Sequence, residues 1–500
     1  SEVAPQIREY PRTSTTCINA YSTPFSLPYL TGLTDQVKAE GSQLEPLIML
    51  SNGGVVGART AALQPVRMIE SGPAAGALAA GLLSKNYGIS DLISFDMGGT
   101  TAKACLIQGG EPLITGEFEV DRRYRFKPGS GMPITVPSVD MIEIGAGGGS
   151  IARMDDLGLL KVGPDSAGSN PGPACYGLGG DQPCVTDADV FLGILDPENF
   201  LGGSMPLDMQ ACKLAMESLA QKLNVTAEQA AFGIYSLVGE TMAAAARTHA
   251  TDRGVSYRGL PLLAFGGAGP IHACYVAEQL ESQKVIFPKM ASVLSAYGTL
   301  VTPVRLDMAR SSLMRLGTIK WARVESLLEE MVSEGKTALV DAGLAAESIF
   351  YSYSVDMRYL GQQTEVTVSL GEAPPSSRDL EKLESLFKTE YENIYGLSLE
   401  GMDLEVVAWR VSSFSSSEQR AANTKAPALT AEPKGQREVY FGGKHLLAEI
   451  YDRESLGADQ LIVGPCIVEE RETTIFVLPN WQVTVDKGGA LVAERMGQEQ

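Results

Sequence analysis

An aspartate, two glycines and two threonines lie close together where an apolar run ends: Asp96, Gly98, Gly99, Thr100 and Thr101. Glycine backbone can approach a ligand closely and point N–H groups at anionic oxygens, and threonine hydroxyls add donors. A carboxylate at the end of a strand is placed to hold a hydrated Mg²⁺ ion. These residue types fit a phosphate-binding turn, and they fit equally a plain hairpin turn that requires glycine.

A second glycine-rich segment follows a predicted buried strand at 260–265. It consists of Gly266, Gly267, Ala268, Gly269 and Pro270, and a predicted helix begins at 271. Bare glycine backbone would let a flat ring lie against it, and the start of a helix is electropositive. The alternative is a strand-to-helix turn that needs small residues for packing.

The elements around the first segment restrict its chemistry. In Rossmann and P-loop sites a helix follows the glycines directly, with its amino end facing the phosphate. Here an apolar, strand-like run continues at 102–107, so we predict a strand–turn–strand hairpin over 92–107 and exclude both of those sites. We also predict helices at 207–223, 226–249 and 320–342, the second opened by a capping box of Thr226 and Gln229.

Composition excludes several classes of partner. A chain of 500 residues is long enough for more than one domain, and its net charge of −20 argues against binding to nucleic acid. No apolar run is long enough to span a membrane, and the first residues lack a signal-peptide pattern. Seven cysteines without a CxxC pair indicate reduced thiols. The sequence therefore predicts a cytoplasmic protein with neither nucleic-acid nor membrane partners.

In order along the chain, the two glycine-rich segments resemble the phosphate and adenosine motifs of the actin, hexokinase and Hsp70 superfamily, which binds ATP between two lobes. Further motifs resemble the hydantoinase A / 5-oxoprolinase family, at 71–76, 144–152, 162–177, 185–189, 265–272, 357–362 and 464–469. The resemblance implies an α/β fold with actin/hexokinase/Hsp70-like (RNase H-like) ATPase lobes and a C-terminal α+β, β-rich domain.

The same resemblance implies a division of the chain into consecutive segments. We expect inter-lobe helices at 1–90 and an ATPase-type core at 91–310 with a glycine-rich insertion at 121–205. An α+β domain at 311–414, a linker at 415–433 and a β-rich C-terminal domain at 434–500 would follow. Family members normally begin with a lobe that carries a first phosphate hairpin. We therefore expect that lobe to precede this sequence or to be a separate chain.

For function, the resemblance implies ATP-dependent opening of a cyclic amide, such as a hydantoin, N-methylhydantoin, 5-oxoproline or a lactam, through phosphorylation of the amide oxygen. ATP and Mg²⁺ would be the cofactors, and a B-type hydantoinase/oxoprolinase subunit the partner. Two alternatives stay open. Related members are subunits of ATP-dependent ketone carboxylases, and a non-catalytic scaffold could have kept the fold while losing activity.

The family motifs assign roles to individual residues. Phosphate and Mg²⁺ contacts fall on Asp96, Gly98, Gly99, Thr100 and Thr101, and the adenosine platform on Gly266, Gly267, Ala268 and Gly269. The other candidates each have a structural alternative. Lys103 is either a phosphate contact or a solvent-facing strand residue, and Gly147, Gly148, Gly149 and Ser150 form either a set of N–H donors or a structural turn. Asp187 and Asp189 are either metal-binding or acid–base carboxylates or helix caps, and His272 is either a catalytic group or a histidine bonded to backbone. His249 and His445 are expected to be structural.

Overall fold

The computed structural model describes residues 3–122, 129–415 and 430–497, so most of the predicted linker at 415–433 lies outside the described residues. The helices are α1 Glu9–Ala39, α2 Ala58–Leu63, α3 Ser71–Asn86, α4 Val185–Phe191, α5 Met209–Leu223, α6 Ala227–Asp252, α7 Gly269–Gln279, α8 Leu294–Val301, α9 Trp321–Asp341 and α10 Leu380–Tyr395. The predicted helices at 207–223, 226–249 and 320–342 are confirmed as α5, α6 and α9.

The shortest strands lie between residues 111 and 139, and the longest lie between residues 305 and 415. They are β1 Leu47–Met49, β2 Val55–Gly57, β3 Leu92–Met97, β4 Ala102–Gln108, β5 Glu111–Pro112, β6 Ile114–Thr115, β7 Phe118–Val120, β8 Met132–Ile134, β9 Ser138–Val139, β10 Met141–Ile144, β11 Ser150–Met154, β12 Leu160–Ser166, β13 Leu262–Phe265, β14 Lys284–Phe287, β15 Arg305–Arg315, β16 Ile349–Tyr359, β17 Val366–Gly371, β18 Leu404–Ser415, β19 Gly435–Phe441, β20 Lys444–Asp452, β21 Leu461–Val463, β22 Cys466–Glu469, β23 Thr474–Val477, β24 Trp481–Val485 and β25 Leu491–Arg495.

The chain forms two compact units, each built from three separated stretches. The first unit comprises residues 1–75, 114–139 and 299–420, and the second comprises 76–113, 140–298 and 421–500. These boundaries differ from the consecutive segments predicted from the sequence. Strand β25 pairs antiparallel with β14, so the predicted C-terminal domain at 434–500 shares a sheet with the predicted core at 91–310.

The first unit contains an antiparallel sheet in the order β15-β18-β16-β17. Helix α9 packs on this sheet because its apolar residues recur every three or four positions, which places Val324, Leu328 and Met331 on one buried face. Gly335 allows close approach, since a Cβ atom there would lie 2.1 Å from the Ser413 hydroxyl.

The second unit is built on a nine-stranded mixed sheet whose main path is β10-β4-β3-β13-β14-β25-β24-β21. Strands β3 and β13 are parallel neighbours, with Asp96 opposite Phe265. Parallel strands end at the same edge of a sheet, so the turns that follow β3 and β13 lie side by side. The predicted hairpin is confirmed as β3 and β4, which pair antiparallel with Met97 opposite Ala102.

Candidate functional site

The turn between β3 and β4 presents free backbone donors. Its ends are closed by the N–H of Gly98, which donates to the Thr101 carbonyl at 3.1 Å. Gly99 and Thr100 at its tip are exposed. Within the described part of the chain, neither of their N–H groups has a hydrogen-bond acceptor. The tip of the hairpin can therefore donate two N–H groups to an anionic ligand.

The glycine run that was predicted to donate to phosphate instead supports this turn from behind. The N–H of Gly148 donates to the Gly98 carbonyl at 3.0 Å, and that of Gly149 donates to the Gly99 carbonyl at 2.6 Å. The N–H of Gly147 donates to the Ser150 hydroxyl at 2.9 Å. Because all three N–H groups are already paired, the predicted donor role is corrected to a packing role.

Close packing explains why this support is glycine. A Cβ atom on Gly147 would lie 2.6 Å from the carbonyl carbon of Thr100 and 2.7 Å from its nitrogen. A Cβ atom on Gly148 would lie 2.8 Å from the Thr186 hydroxyl. Any side chain at Gly147 would thus push against the backbone of the turn.

Asp96 lies at the end of β3, and its side chain is partly buried and accepts one long hydrogen bond from a described residue. The Ser295 hydroxyl donates to its carboxylate at 3.5 Å. Burial raises the pKa of the Asp96 carboxyl above its ordinary value, and the positive charge of Lys103 and the Ser295 hydrogen bond only partly offset this. An incoming cation would offset the cost of ionising this carboxyl in its buried setting.

Lys103 is opposite Asp96 on β4, and its ammonium contacts the turn that precedes β4 and the neighbouring strand β10. Nζ donates to the Thr101 hydroxyl and lies 3.2 Å from the Glu143 carboxylate. The side chain is therefore neither free in solvent nor directly paired with Asp96.

The predicted adenosine platform adjoins the hairpin. Gly266 has a φ of 87°, and a Cβ atom there would lie 2.4 Å from the Met97 carbonyl oxygen and 2.6 Å from the Asp96 carboxylate. The N–H of Ala268 donates to the same Met97 carbonyl at 3.0 Å. Gly267 is exposed, and its N–H has no acceptor among the described residues. Helix α7 then begins at Gly269, two residues before the predicted start at 271.

Residues from both turns line one cavity of about 170 Å³. Gly99, Gly148, Gly267 and Ala268 form one side of it. Other lining residues provide an apolar wall, consisting of Tyr176, Leu195, Phe200, Leu201 and Ile271, and a polar segment, consisting of Glu469, Glu470, Arg471, Glu472, Thr473 and Thr474. A mostly apolar cavity with a few convergent polar groups is the usual form of a small-molecule site.

The polar segment was not predicted as part of the site. The family motif at 464–469 pointed only to its first residue, and nothing in the sequence indicated that it would meet the 266–269 turn. The structure joins them through the Thr473 hydroxyl, which donates to the Gly267 carbonyl at 2.9 Å.

Asp189 and His272 form a buried pair beside this cavity. Asp189 is 1% exposed and lines the cavity, and its Oδ2 lies 3.4 Å from Nε2 of the fully buried His272. Among the described residues, Oδ1 of Asp189 and both ring nitrogens of His272 have no hydrogen-bond partner. Burial raises the pKa of the Asp189 carboxyl, and His272 partly offsets this. Neither ring nitrogen of His272 therefore bonds to a backbone group of the described residues, which was the structural alternative for this histidine.

The other carboxylate in this motif is structural. Asp187 accepts hydrogen bonds from the N–H groups of Cys184, at 2.8 Å, and Cys175, at 2.7 Å, and so caps α4. His249 and His445 do not line the cavity; they lie near the carboxylates of Asp140 and Glu438.

The described residues contain no group of three or more His, Cys, Asp or Glu side chains placed to hold a metal ion. A Mg²⁺ ion that is held by one carboxylate, phosphate oxygens and waters needs no such group, so Asp96 fits that kind of site. Of the helices that the structure describes, none combines the length and the apolar character needed to cross a membrane.

Comparison with solved structures defines the class of fold. The crystal structure of the ATP-dependent caprolactamase from Pseudomonas jessenii superposes with a TM-score of 0.81 at 34% identity, covering 99% of this chain and 72% of that one. A nucleotide-free structure of acetone carboxylase gives a TM-score of 0.81 at 24% identity, covering 98% of this chain and 70% of that one. The protein has the α/β, actin-like ATPase fold.

Sequence comparison then gives the family. Residues 12–308 match the hydantoinase/oxoprolinase family, and residues 318–491 match the hydantoinase/oxoprolinase C-terminal domain. The chain belongs to this family.

Three relatives illustrate the range of the family. An uncharacterised protein of Methanocaldococcus jannaschii is 37% identical, with 99% of this chain and 72% of that protein covered. Caprolactamase subunit alpha of Pseudomonas jessenii is 35% identical over 97% of this chain and 70% of that protein. Acetophenone carboxylase gamma subunit of Aromatoleum aromaticum is 30% identical over 98% of this chain and 68% of that protein.

Proposed function

We propose that this protein is the A-type subunit of an enzyme that opens a cyclic amide at the expense of ATP, through phosphorylation of the amide oxygen. The observation that carries the proposal is the side-by-side placement of two turns with free N–H groups, at Gly99, Thr100 and Gly267, around one cavity. The similarity to a caprolactamase subunit favours a lactam or a related ring as the substrate.

The residues of the hairpin fit the phosphate end of a nucleotide. Gly99 and Thr100 would donate backbone N–H groups to phosphate oxygens, and Asp96 would hold Mg²⁺ through one carboxylate. Gly267 and Ala268 would lie against the nucleoside, since both line the cavity and neither has a side chain larger than a methyl group. Bound ATP with Mg²⁺ would supply the phosphoryl group that makes the amide carbon a better electrophile.

Coupling to ATP makes chemical sense for this class of substrate. Hydrolysis of an unstrained five-membered cyclic amide is unfavourable, because resonance makes the amide carbon a poor electrophile and the ring nitrogen is a poor leaving group. Transfer of a phosphoryl group to the amide oxygen draws electron density from the carbon and allows water to add to it. The C–N bond of the ring would then break, with a proton passing to the nitrogen, and a second water would hydrolyse the resulting acyl phosphate to carboxylate and phosphate. The positioned N–H groups of the hairpin would stabilise negative charge that develops during this transfer.

Asp189 is the candidate proton acceptor at the cavity. Its carboxylate lines the cavity, one of its oxygens has no partner among the described residues, and burial raises its pKa, which makes the ionised carboxylate a stronger base. His272 has no exposed surface, so it would act through Asp189 as a positioning residue.

A partner subunit is part of the proposal. The similar caprolactamase and acetophenone carboxylase chains are named as subunits of their enzymes. We infer that this chain works with a B-type subunit, and activity is therefore best measured on the complete complex.

The test is phosphate release from ATP by the complex in the presence of 5-oxoproline, hydantoin, N-methylhydantoin and caprolactam. The proposal predicts stimulation by at least one ring, independent of bicarbonate. Stimulation by a ketone only when bicarbonate is present would instead support ketone carboxylation, which the 30% identity to an acetophenone carboxylase subunit keeps as the second candidate. No stimulation by any of these compounds would contradict both.

A further inference from the structure

A second cavity, of about 160 Å³, is formed by residues of the first unit alone. Half of its lining residues are apolar and buried, namely Leu50, Val56, Ala61, Leu306, Met308 and Ala338. The polar part of the lining consists of Thr60, Gln64, Arg67, Arg310 and Glu334. An apolar cavity of about this size is large enough for a six-carbon ring. Nothing in the proposed reaction at the hairpin uses this space.

Arg67 lines the same cavity with most of its hydrogen-bonding capacity unused. Nη1 donates to the Asp307 carbonyl at 3.0 Å, and this is its one side-chain hydrogen bond within the described residues. Nε is buried and has no partner there. A guanidinium has five N–H donors and stays charged, so most of these donors can still serve a ligand.

The charges around the cavity leave one positive charge unbalanced. Arg310 donates to the Glu334 carboxylate at 2.7 and 3.0 Å, and Arg305 donates to the Asp307 carboxylate at 2.9 Å. Each of these two acids is hydrogen-bonded to its own arginine. Among the described residues Arg67 forms no ion pair with a carboxylate, although the charges of Asp307 and Glu334 partly offset the effect of burial on its pKa. Burial lowers the pKa of Arg67, so the folded protein bears a cost for this charge.

We infer that this cavity binds a small aliphatic carboxylate of about five carbon atoms. The carboxylate would pair with the Arg67 guanidinium, a planar fork that matches carboxylate geometry. The hydrocarbon chain would lie against Leu306, Met308 and Ala338. The apolar wall disfavours inorganic phosphate, which needs hydrogen bonds on all sides.

The test is isothermal titration of the full chain with pentanoate and with 1-pentanol, which share a chain and differ in charge. We expect pentanoate to bind at least about tenfold more tightly, since hydrogen bonds to charged groups are the strong ones. Arg67→Met should remove this preference and leave pentanol binding unchanged. Arg323→Met, at an exposed arginine of the same unit, is the matched control and should bind as the wild type does.

A second variant keeps the inference testable if Arg67→Met does not fold. Ala338→Leu adds three carbon atoms inside the cavity and should weaken pentanoate binding by at least about tenfold while Arg67 stays in place. Wild-type affinity in Ala338→Leu would overturn the assignment. So would equal binding of pentanoate and pentanol, tighter binding of inorganic phosphate than of pentanoate, or no pentanoate binding to the wild-type chain.

Discussion

Gly147→Ala should displace the turn of the hairpin without replacing any residue that faces the ligand. The added Cβ would lie 2.6–2.8 Å from three backbone atoms of Gly99 and Thr100, and backbone atoms cannot rotate away as a side chain can. Overpacking of this kind costs about 1–3 kcal/mol. If the turn moves, the two hydrogen bonds from Gly148 and Gly149 are also lost, at about 1 kcal/mol each.

We therefore expect Gly147→Ala to lower the unfolding free energy of the second unit by about 3–5 kcal/mol, or its melting temperature by about 6–10 °C. ATP affinity, measured by titration at a temperature where the variant is folded, should fall at least about tenfold because the two free N–H groups move. Gly98→Ala is the control for stability, since its Cβ would meet nothing closer than 4.0 Å. Wild-type melting and wild-type ATP affinity in Gly147→Ala would refute the packing argument.

Three further results follow from the same contacts. Asp96→Asn should abolish ATP turnover while the circular dichroism spectrum stays unchanged, because the buried carboxyl is replaced by an isosteric neutral group; wild-type turnover would remove Asp96 from the site. Burial raises the pKa of the Asp189 carboxyl, so the wild-type protein loses stability as pH rises from about 4, the pKa of aspartate in the unfolded chain. The melting temperature of Asp189→Asn should therefore rise relative to that of the wild type over the same pH range. A difference between the two melting temperatures that falls with pH contradicts this. Maleimide should label one thiol of the native protein, the exposed Cys17, and seven in urea, as counted by mass spectrometry; rapid native labelling of any buried cysteine would argue against the described core.

Local sequence was enough to predict the elements that carry the site. The glycines and threonines after Asp96 predicted a hairpin because a strand-like run, and not a helix, follows them. The small residues at 266–269 predicted a strand-to-helix turn for the same kind of local reason. Both predictions are confirmed because each depends on neighbours within about ten residues.

Contacts between distant parts of the chain could not be predicted in this way. The N–H groups of Gly148 and Gly149 donate to carbonyls about fifty residues earlier, and that of Gly147 donates to the Ser150 hydroxyl, so composition alone suggested free donors where the structure has none. The Asp189–His272 pair and the polar segment of the cavity at 469–474 likewise depend on strand order. A single sequence shows the pattern of each strand but not its neighbours in the sheet.

The central proposal, that this chain couples ATP to the opening of a cyclic amide, is tested most directly by the ratio of two products. Phosphate and ring-opened product are measured together, in the complete complex, with the ring that stimulates ATP hydrolysis most. We predict about one phosphate per ring opened, and loss of both products in Asp96→Asn. Ring opening at the same rate without ATP, or ring opening that survives in Asp96→Asn, would contradict the proposal.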